Sequence, residues 1–234
     1  GNNISIHHNL FAHNWGRNPR VEGADRVEII NNLIYGWGNA AVEFSDNPVQ
    51  AHLAGNFFKA TEGSSLVEIV RYPSTILEDK IYIMGNIVDD PRVDIKFFEA
   101  RHPDFDESVL FDSEVFSGSN IKLFDAQVAY ADVLSNSGAI TPARDLVDQR
   151  IINDVVNRSG NIINSQNEVG GWPDFIGTEY PLDTDNDGMP DDWELTHGID
   201  PLDSSDANNY YKRSPGGYTW IEEYVNSLVP LLPD

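Results

Sequence analysis

Across roughly the first ninety residues, apolar and polar positions alternate in short runs that never sustain a helical period. Ile4 and Ile6, Val27 and Ile29, Leu53, and Ile81 and Ile83 lie in such runs. Each run ends at an Asn followed by two apolar residues: His8-Asn9-Leu10-Phe11, Asn31-Asn32-Leu33-Ile34, Gly55-Asn56-Phe57-Phe58 and Gly85-Asn86-Ile87-Val88. The anchoring asparagines are 23, 24 and 30 residues apart. A period of about 20 to 50 residues marks an architecture whose units stack on one another. Short strands punctuated by Gly, Asn and Asp point to a parallel β-helix rather than a helical solenoid. In that arrangement an Asn at an equivalent inward turn hydrogen-bonds its copies above and below, so that buried amides are satisfied along a ladder. The competing reading is four ordinary turn-to-strand junctions in an antiparallel β domain.

After Asn86 the regularity fails, and residues 89–112 read as loop with turn signals at Asp89-Asp90-Pro91 and His102-Pro103-Asp104. A further repeat is expected at Ser119-Asn120-Ile121-Lys122-Leu123. Thr141-Pro142 reads as a helix start, and Leu146, Val147, Ile151, Ile152, Val155 and Val156 follow at helical spacing as far as Gly160. This helix is expected to cap the open end of the stack, which needs a polar face to stay soluble. The predicted class is all-β, a right-handed parallel β-helix with a capping helix and a small loop-helix tail. The expected boundaries are 1–135 for the coils, 136–180 for the helix and the segment packed on them, and 181–234 for the tail.

Charge changes this picture by its uneven placement. The net charge is −23 from 15 basic and 38 acidic residues. Residues 1–158 hold 13 basic and 23 acidic residues, 159–211 none and 12, and 212–234 two and three, giving −10, −12 and −1. Residues 1–21 carry Arg17, Arg20, His7, His8 and His13 and no acid. The overall balance argues against nucleic acid and anionic membrane partners, which need clustered Lys and Arg. The cationic island is where an anionic ligand would dock, and the acidic block is where a cation would. The absence of cysteine excludes disulfides, thiolate metal sites and a thiol nucleophile. The opening Asn3-Ile4-Ser5-Ile6 already reads as strand, so the chain is expected to be a fragment lacking earlier coils.

The segment from His7-His8-Asn9-Leu10-Phe11 through Ala12-His13-Asn14-Trp15-Gly16-Arg17-Asn18-Pro19-Arg20-Val21 resembles the central motif of the pectate lyase family of β-helix polysaccharide lyases. Pro142-Ala143-Arg144-Asp145, Asp148-Gln149-Arg150-Ile151, Gly160-Asn161-Ile162-Ile163 and Val169-Gly170-Gly171-Trp172-Pro173 are similar to the C-terminal portion of its bacterial members. The resemblance implies β-elimination on polygalacturonate with calcium, with Arg17 as the base and Pro19 in the matching place. Its second substrate arginine falls on Glu22 in this chain, so Arg20 is the nearest substitute for a carboxylate ligand. The family's catalytic calcium carboxylates lie in coils before this segment, so the fragment alone is expected to be inactive. Outside the resemblance, Arg17 and Arg20 read equally as surface ion pairs with Glu22 and Asp25. The three histidines read as structural, and Trp15, Trp37 and Tyr35 as either sugar-stacking faces or core.

Asp183-Thr184-Asp185-Asn186-Asp187-Gly188-Met189-Pro190-Asp191-Asp192-Trp193-Glu194 fits the twelve-residue calcium loop. The spacing offers Asp183, Asp185, Asp187, the Met189 carbonyl, Asp191 and a bidentate Glu194 to a cation that takes six to eight oxygens. The flanks resemble the thrombospondin-type-3-like calcium modules of secreted bacterial proteins. Short helices are expected at 193–197, closed by Gly198, and at 219–228, and Asp200, Asp203 and Asp206 are expected to form a second, poorer site. The expectation is therefore a secreted, extracellular, bacterial, monomeric pectate lyase acting on pectin or polygalacturonate with calcium. The alternative is a non-catalytic β-helix carbohydrate-binding or adhesin module with a calcium-stiffened tail. A β-helix glycoside hydrolase ranks last, since no carboxylate pair flanks Arg17 in sequence.

Overall fold

The computed structural model describes residues 2–45, 49–65, 69–71, 80–92, 110–140, 143–174, 179–210 and 217–228. The chain divides into two compact units, Gly1–Pro173 and Asp174–Asp234. In the first, three successive passes of the chain visit three sheets in the same order. One pass supplies β1 (Ile4–His7), β2 (Leu10–Ala12) and β3 (Arg20–Glu22), and the next β4 (Val27–Ile30), β5 (Leu33–Tyr35) and β6 (Val42–Ser45). A third supplies β7 (Gln50–Ala54), β8 (Phe57–Lys59) and β9 (Val70–Arg71), followed by β10 (Lys80–Met84), β11 (Ile87–Asp89) and β12 (Leu110–Phe111). The first sheet runs β1-β4-β7-β10-β12, the second β2-β5-β8-β11 and the third β3-β6-β9, and every named pairing is parallel. Stacked passes of this kind place like residues in columns. Ile6, Ile29, Leu53 and Ile83 form one, and Phe11, Ile34, Phe58 and Val88 another, both in the main hydrophobic core.

The turn between the first and second sheets is the repeated element. Its first residue is left-handed in every pass, with φ of 53° at His8, 55° at Asn31 and 63° at both Gly55 and Gly85. The next residue is the ladder Asn. Asn32 Oδ1 accepts from the backbone N–H and Nδ2 of Asn9 at 3.0 and 3.1 Å, Asn56 Oδ1 from Asn32 at 2.9 and 3.0 Å, and Asn86 Oδ1 from Asn56 at 3.0 and 2.9 Å. Each Nδ2 also donates to a strand carbonyl: His7, Ile6 and Ile30, Ile29, and Leu53 for the four in turn. Asn32 and Asn56 are fully buried, so these bonds replace water that cannot reach them.

Two segments cover the outer faces. Along the second sheet, Leu33, Tyr35 and Phe57 pack with Ala126 and Val133 of α1 (Ala126–Asn136) and Val155 of α2 (Leu146–Asn157). The helix expected to cap the end of the stack therefore lies along its flank, where the column Leu10, Leu33, Phe57 and Ile87 offers an apolar surface. The start expected at Thr141 and Pro142 falls outside the described residues; α2 begins behind Asp145, whose side chain caps the Asp148 N–H at 2.8 Å. Nor does a strand repeat resume at residues 119–123. That stretch instead crosses the outer face of the first sheet. Ser119 N–H donates to both Glu28 oxygens at 3.1 and 3.0 Å, and Phe124 N–H donates to Asn31 Oδ1 at 3.0 Å. Val115 N–H donates to His52 Nε2 at 3.2 Å, and Phe116 stacks on the His52 ring at 3.9 Å.

In the second unit, α3 (Asp191–His197) ends at Gly198 with φ of 74°, and α4 (Trp220–Ser227) starts with a capping box between Thr219 and Glu222. Trp193 stacks on His197 at 3.9 Å and meets Trp220 and Tyr224 edge-on at 6.2 and 5.3 Å, which gives this small unit a half-buried aromatic cluster. Among the described residues, no helix is long and apolar enough to cross a membrane.

Candidate functional site

Arg17 and Arg20 flank the entry to the third sheet. Arg17 stands in the turn after β2 with φ of 66°. The turn is pinned by Asn18, whose N–H donates to the Ala41 carbonyl at 2.7 Å and whose Oδ1 accepts from Asn14 Nδ2 at 2.8 Å. Parallel register then sets Arg20 of β3 directly beside Glu43 of β6. The Glu43 carboxylate, only 10% exposed, lies 3.6 Å from Arg17 Nε through Oε2 and 3.6 Å from Arg20 Nε through Oε1. Arg20 also pairs with Glu22 at 2.8 Å. The ion pair expected between Arg20 and Glu22 is present, whereas Arg17 leans on Glu43 with 62% of its side chain in solvent. The two arginines of the acid-free stretch thus meet the carboxylates of Glu22 and Glu43 in space. Glu43 was missed from sequence; its only signal is a lone acid inside the apolar run Ala40-Ala41-Val42-Glu43-Phe44.

Of the three aromatic residues singled out, Trp37 and Tyr35 are core, each 1% exposed, while Trp15 is 68% exposed. Gly38 leaves room for that indole, since a Cβ there would come within 2.5 Å of the Trp15 ring. The histidines do not converge on one point. His7 and His8 contact each other through Nδ1 at 2.9 Å, and His13 is buried with Nε2 3.4 Å from Asp154 of α2. Burial holds the His13 imidazole below its ordinary pKa of 6.5, with the Asp154 charge opposing that shift.

Among the described residues, the acid clusters close enough to share an ion both lie in the tail: Asp183, Asp185 and Asp187, and Asp187, Glu194 and Asp206. The loop is shaped by its own amides. Asp183 accepts from Asn186 and Gly188 N–H at 2.8 and 3.0 Å, and Asp187 Oδ1 accepts from Met189 N–H at 2.8 Å. Asn186 and Gly188 take φ of 62° and 99°, conformations in which Asn and Gly cost least. Asp191 is engaged elsewhere, with its two oxygens accepting from the Thr184 N–H and hydroxyl at 2.7 Å each. Glu194 is fully buried, and both of its oxygens lack a hydrogen-bond partner, as do Asp185 Oδ2, Asp187 Oδ2 and Asp206 Oδ1. Burial pushes the Glu194 carboxyl up to about 7, with the neighbouring charges of Asp187, Asp185, Asp206 and Asp191 adding to the rise. Burial likewise raises Asp187 and Asp206. Carboxylate oxygens left dry and unpartnered cost several kcal/mol each unless a cation or a proton meets them. Hard oxygen donors in this number fit a calcium-type ion.

The chain was compared with known proteins. No family profile matches it. It is 30% identical over 235 residues to a protein named "Probable pectate lyase C" from Emericella nidulans, covering 97% of this chain and 53% of that one. It is equally 30% identical over 247 residues to proteins of the same name from Aspergillus flavus and Aspergillus oryzae, covering 97% of this chain and 54% of each. The chain is similar over nearly its whole length to proteins named as pectate lyases. It spans about half the length of the curated pectate lyases it matches. These relatives are fungal and lend no support to the bacterial source expected from sequence. The stretch similar to the pectate lyases takes in both the Arg17 turn and the acidic tail, since it runs through 97% of the chain.

Proposed function

We propose that this chain forms part of a secreted pectate lyase that cleaves polygalacturonate by calcium-assisted β-elimination. Its coils form a right-handed parallel β-helix. The cyclic order of the three parallel sheets supports this architecture, and connections between parallel strands are right-handed in about 98% of cases. The observation that carries the activity is the Arg17 turn. An exposed guanidinium is held in a left-handed conformation and braced through Glu43 beside a second arginine, in a chain similar to pectate lyases along nearly its whole length.

In this reading Arg17 removes the proton on C5 of a uronate. The C5–H electron pair becomes the C4–C5 double bond, and the O4 glycosidic oxygen departs. A guanidinium is protonated at ordinary pH and must be neutral to act so, which requires other positive charge close to the substrate. Calcium bound with the uronate carboxylate would supply that charge and would offset negative charge in the transition state. Arg20 binds a substrate carboxylate and Glu43 fixes the spacing of the two guanidinium groups. Trp15, two residues before Arg17 in the chain, offers an exposed ring. The tail binds calcium through the loop that carries Asp183, Asp185, Asp187, the Met189 carbonyl, Asp191 and Glu194, and the unpartnered oxygens there support this. Millimolar extracellular calcium suits such a site and a secreted, monomeric enzyme.

The test uses the full natural chain with polygalacturonate and calcium, followed by the ultraviolet absorbance of the unsaturated uronide product. Arg17→Ala is expected to lower the rate by at least about a thousandfold, in the range of losing a principal catalytic group. An Arg17→Ala enzyme of normal rate, or full activity in chelator, overturns the proposal. Pectin binding without product returns the molecule to the non-catalytic carbohydrate-binding reading.

A further inference from the structure

We infer that Asp206, twelve residues beyond the calcium loop, is a direct ligand of the tail's cation in the place that the linear motif gives to Asp191. The inference rests on the calcium reading above and changes which residues make the site. Three observations on the two side chains carry it. Asp191 has both oxygens committed to Thr184, at 2.7 Å each, so it closes the loop on itself. Asp206 is positioned by the Asp200 N–H, which donates to its Oδ2 at 3.1 Å, while its Oδ1 is buried without a partner. Asp206 belongs to a group in which Asp187, Glu194 and Asp206 each place a carboxylate oxygen within 4.8 Å of the others.

The independent pointer to a ligand is Glu194. It is 0% exposed, with two unpartnered oxygens, inside the same group. Asp185 Oδ2, Asp187 Oδ2, the two Glu194 oxygens and Asp206 Oδ1 make five unpartnered carboxylate oxygens. With the Met189 carbonyl or water they reach the six to eight oxygens that calcium takes. Among the described residues, Asp200, Asp203 and Asp206 do not gather into the second site expected from sequence. Asp203 Oδ1 accepts from the Ser205 N–H at 3.1 Å and its hydroxyl at 2.6 Å, and Asp200 Oδ1 accepts from Leu202 N–H at 3.1 Å. One ion then ties the loop to the turn at Asp206–Asn208, and that turn contacts α4. Calcium therefore closes the unit as a whole rather than a single loop.

Calcium binding to the full chain, followed by calorimetry and by terbium luminescence sensitised by Trp193 and Trp220, tests this. Asp206→Asn keeps an acceptor for the Asp200 N–H but loses the charge, and it should weaken calcium at least about tenfold, as should Glu194→Gln. Asp203→Asn should bind within about twofold of wild type. Without calcium, Asp206→Asn should unfold no earlier than wild type, because it relieves repulsion among buried acids; a purely structural Asp206 would lower that midpoint. Wild-type affinity in Asp206→Asn overturns this inference and leaves the calcium reading standing. A wild-type chain that takes up neither ion overturns both.

Discussion

Each inner ladder asparagine, Asn32 and Asn56, has an accounting that only Asn satisfies at this turn. Its Oδ1 receives two bonds from the pass before it, while its own N–H and Nδ2 donate to the pass after it and to a strand carbonyl. Replacing Asn56 removes the acceptor for two buried donors of Asn32, and an unsatisfied buried donor costs about 1–3 kcal/mol. Asn56→Ala should therefore destabilise the first unit by roughly 3 kcal/mol or more, whereas Asn9→Ala, at an exposed position, should cost about 1 kcal/mol. Urea unfolding of the two variants measures the difference, and equal losses would refute the ladder's role. The Asn repeat was readable because the bond it makes depends on residue type and on equivalent position in each turn. Glu43 was not, since its neighbours Arg17 and Arg20 are set by register across more than twenty residues of chain.

At the level of elements, the turns that look alike in sequence differ in what lies over them. Gly55 and Gly85 share φ of 63°, yet a Cβ at Gly55 would stand 2.7 Å from the Phe124 carbonyl and 2.9 Å from Asn31 Oδ1, while at Gly85 it meets nothing within 4 Å. Both replacements by Ala pay about 1 kcal/mol for the left-handed conformation, and only Gly55→Ala must also displace the strap over the first sheet. Gly55→Ala should lower the thermal midpoint clearly more than Gly85→Ala, and Gly85→Asn should be close to neutral, since Asn31 already occupies the equivalent place. Calorimetric melting of the three variants decides this. The strap was misread as a repeat because Ser119-Asn120-Ile121-Lys122-Leu123 carries the same local signal as the true turns, and only the contacts of Glu28 and His52 distinguish it. Helix α1 escaped notice for a related reason. Two of its three buried residues, Ala126 and Ala129, are small and signal little by periodicity.

Over the whole molecule, the charge sum conceals two different responses to solution conditions. In the first unit, His8, His13 and His52 are held below the ordinary histidine pKa of 6.5 chiefly by burial, with carboxylates opposing: Asp132 for His8, Asp154 for His13, and Glu114 and Glu28 for His52. A folded-state pKa below the unfolded one means that the unfolded chain binds more protons in the window between them. Stability contributed by the neutral rings is therefore present above about pH 6.5 and is lost as pH falls through that window. The urea midpoint of the first unit should drop between about pH 7 and 5, and His52→Gln should flatten the slope; a midpoint that rises on acidification would contradict the burial argument. The other response belongs to the tail, where buried carboxylate oxygens lie together without hydrogen-bond partners. Sequence alone showed the loop but not its outside partner, because Asp206 reaches Glu194 only after α3 and the following turns bring it back.

The asparagine ladder also determines where this protein tolerates change in length. Its bonds run one way, each pass offering two donors forward to a single acceptor, so any pass can follow any other provided the turn keeps its two residues. The spacing from Asn56 to Asn86 is seven residues longer than that from Asn9 to Asn32, yet the bond lengths across the two steps match to within 0.2 Å. Extra chain has been absorbed away from the turn. A stack built on such a spine can gain loops, or whole passes, on its far side without renegotiating its register, which separates the part of the molecule that specifies architecture from the part free to acquire new specificity.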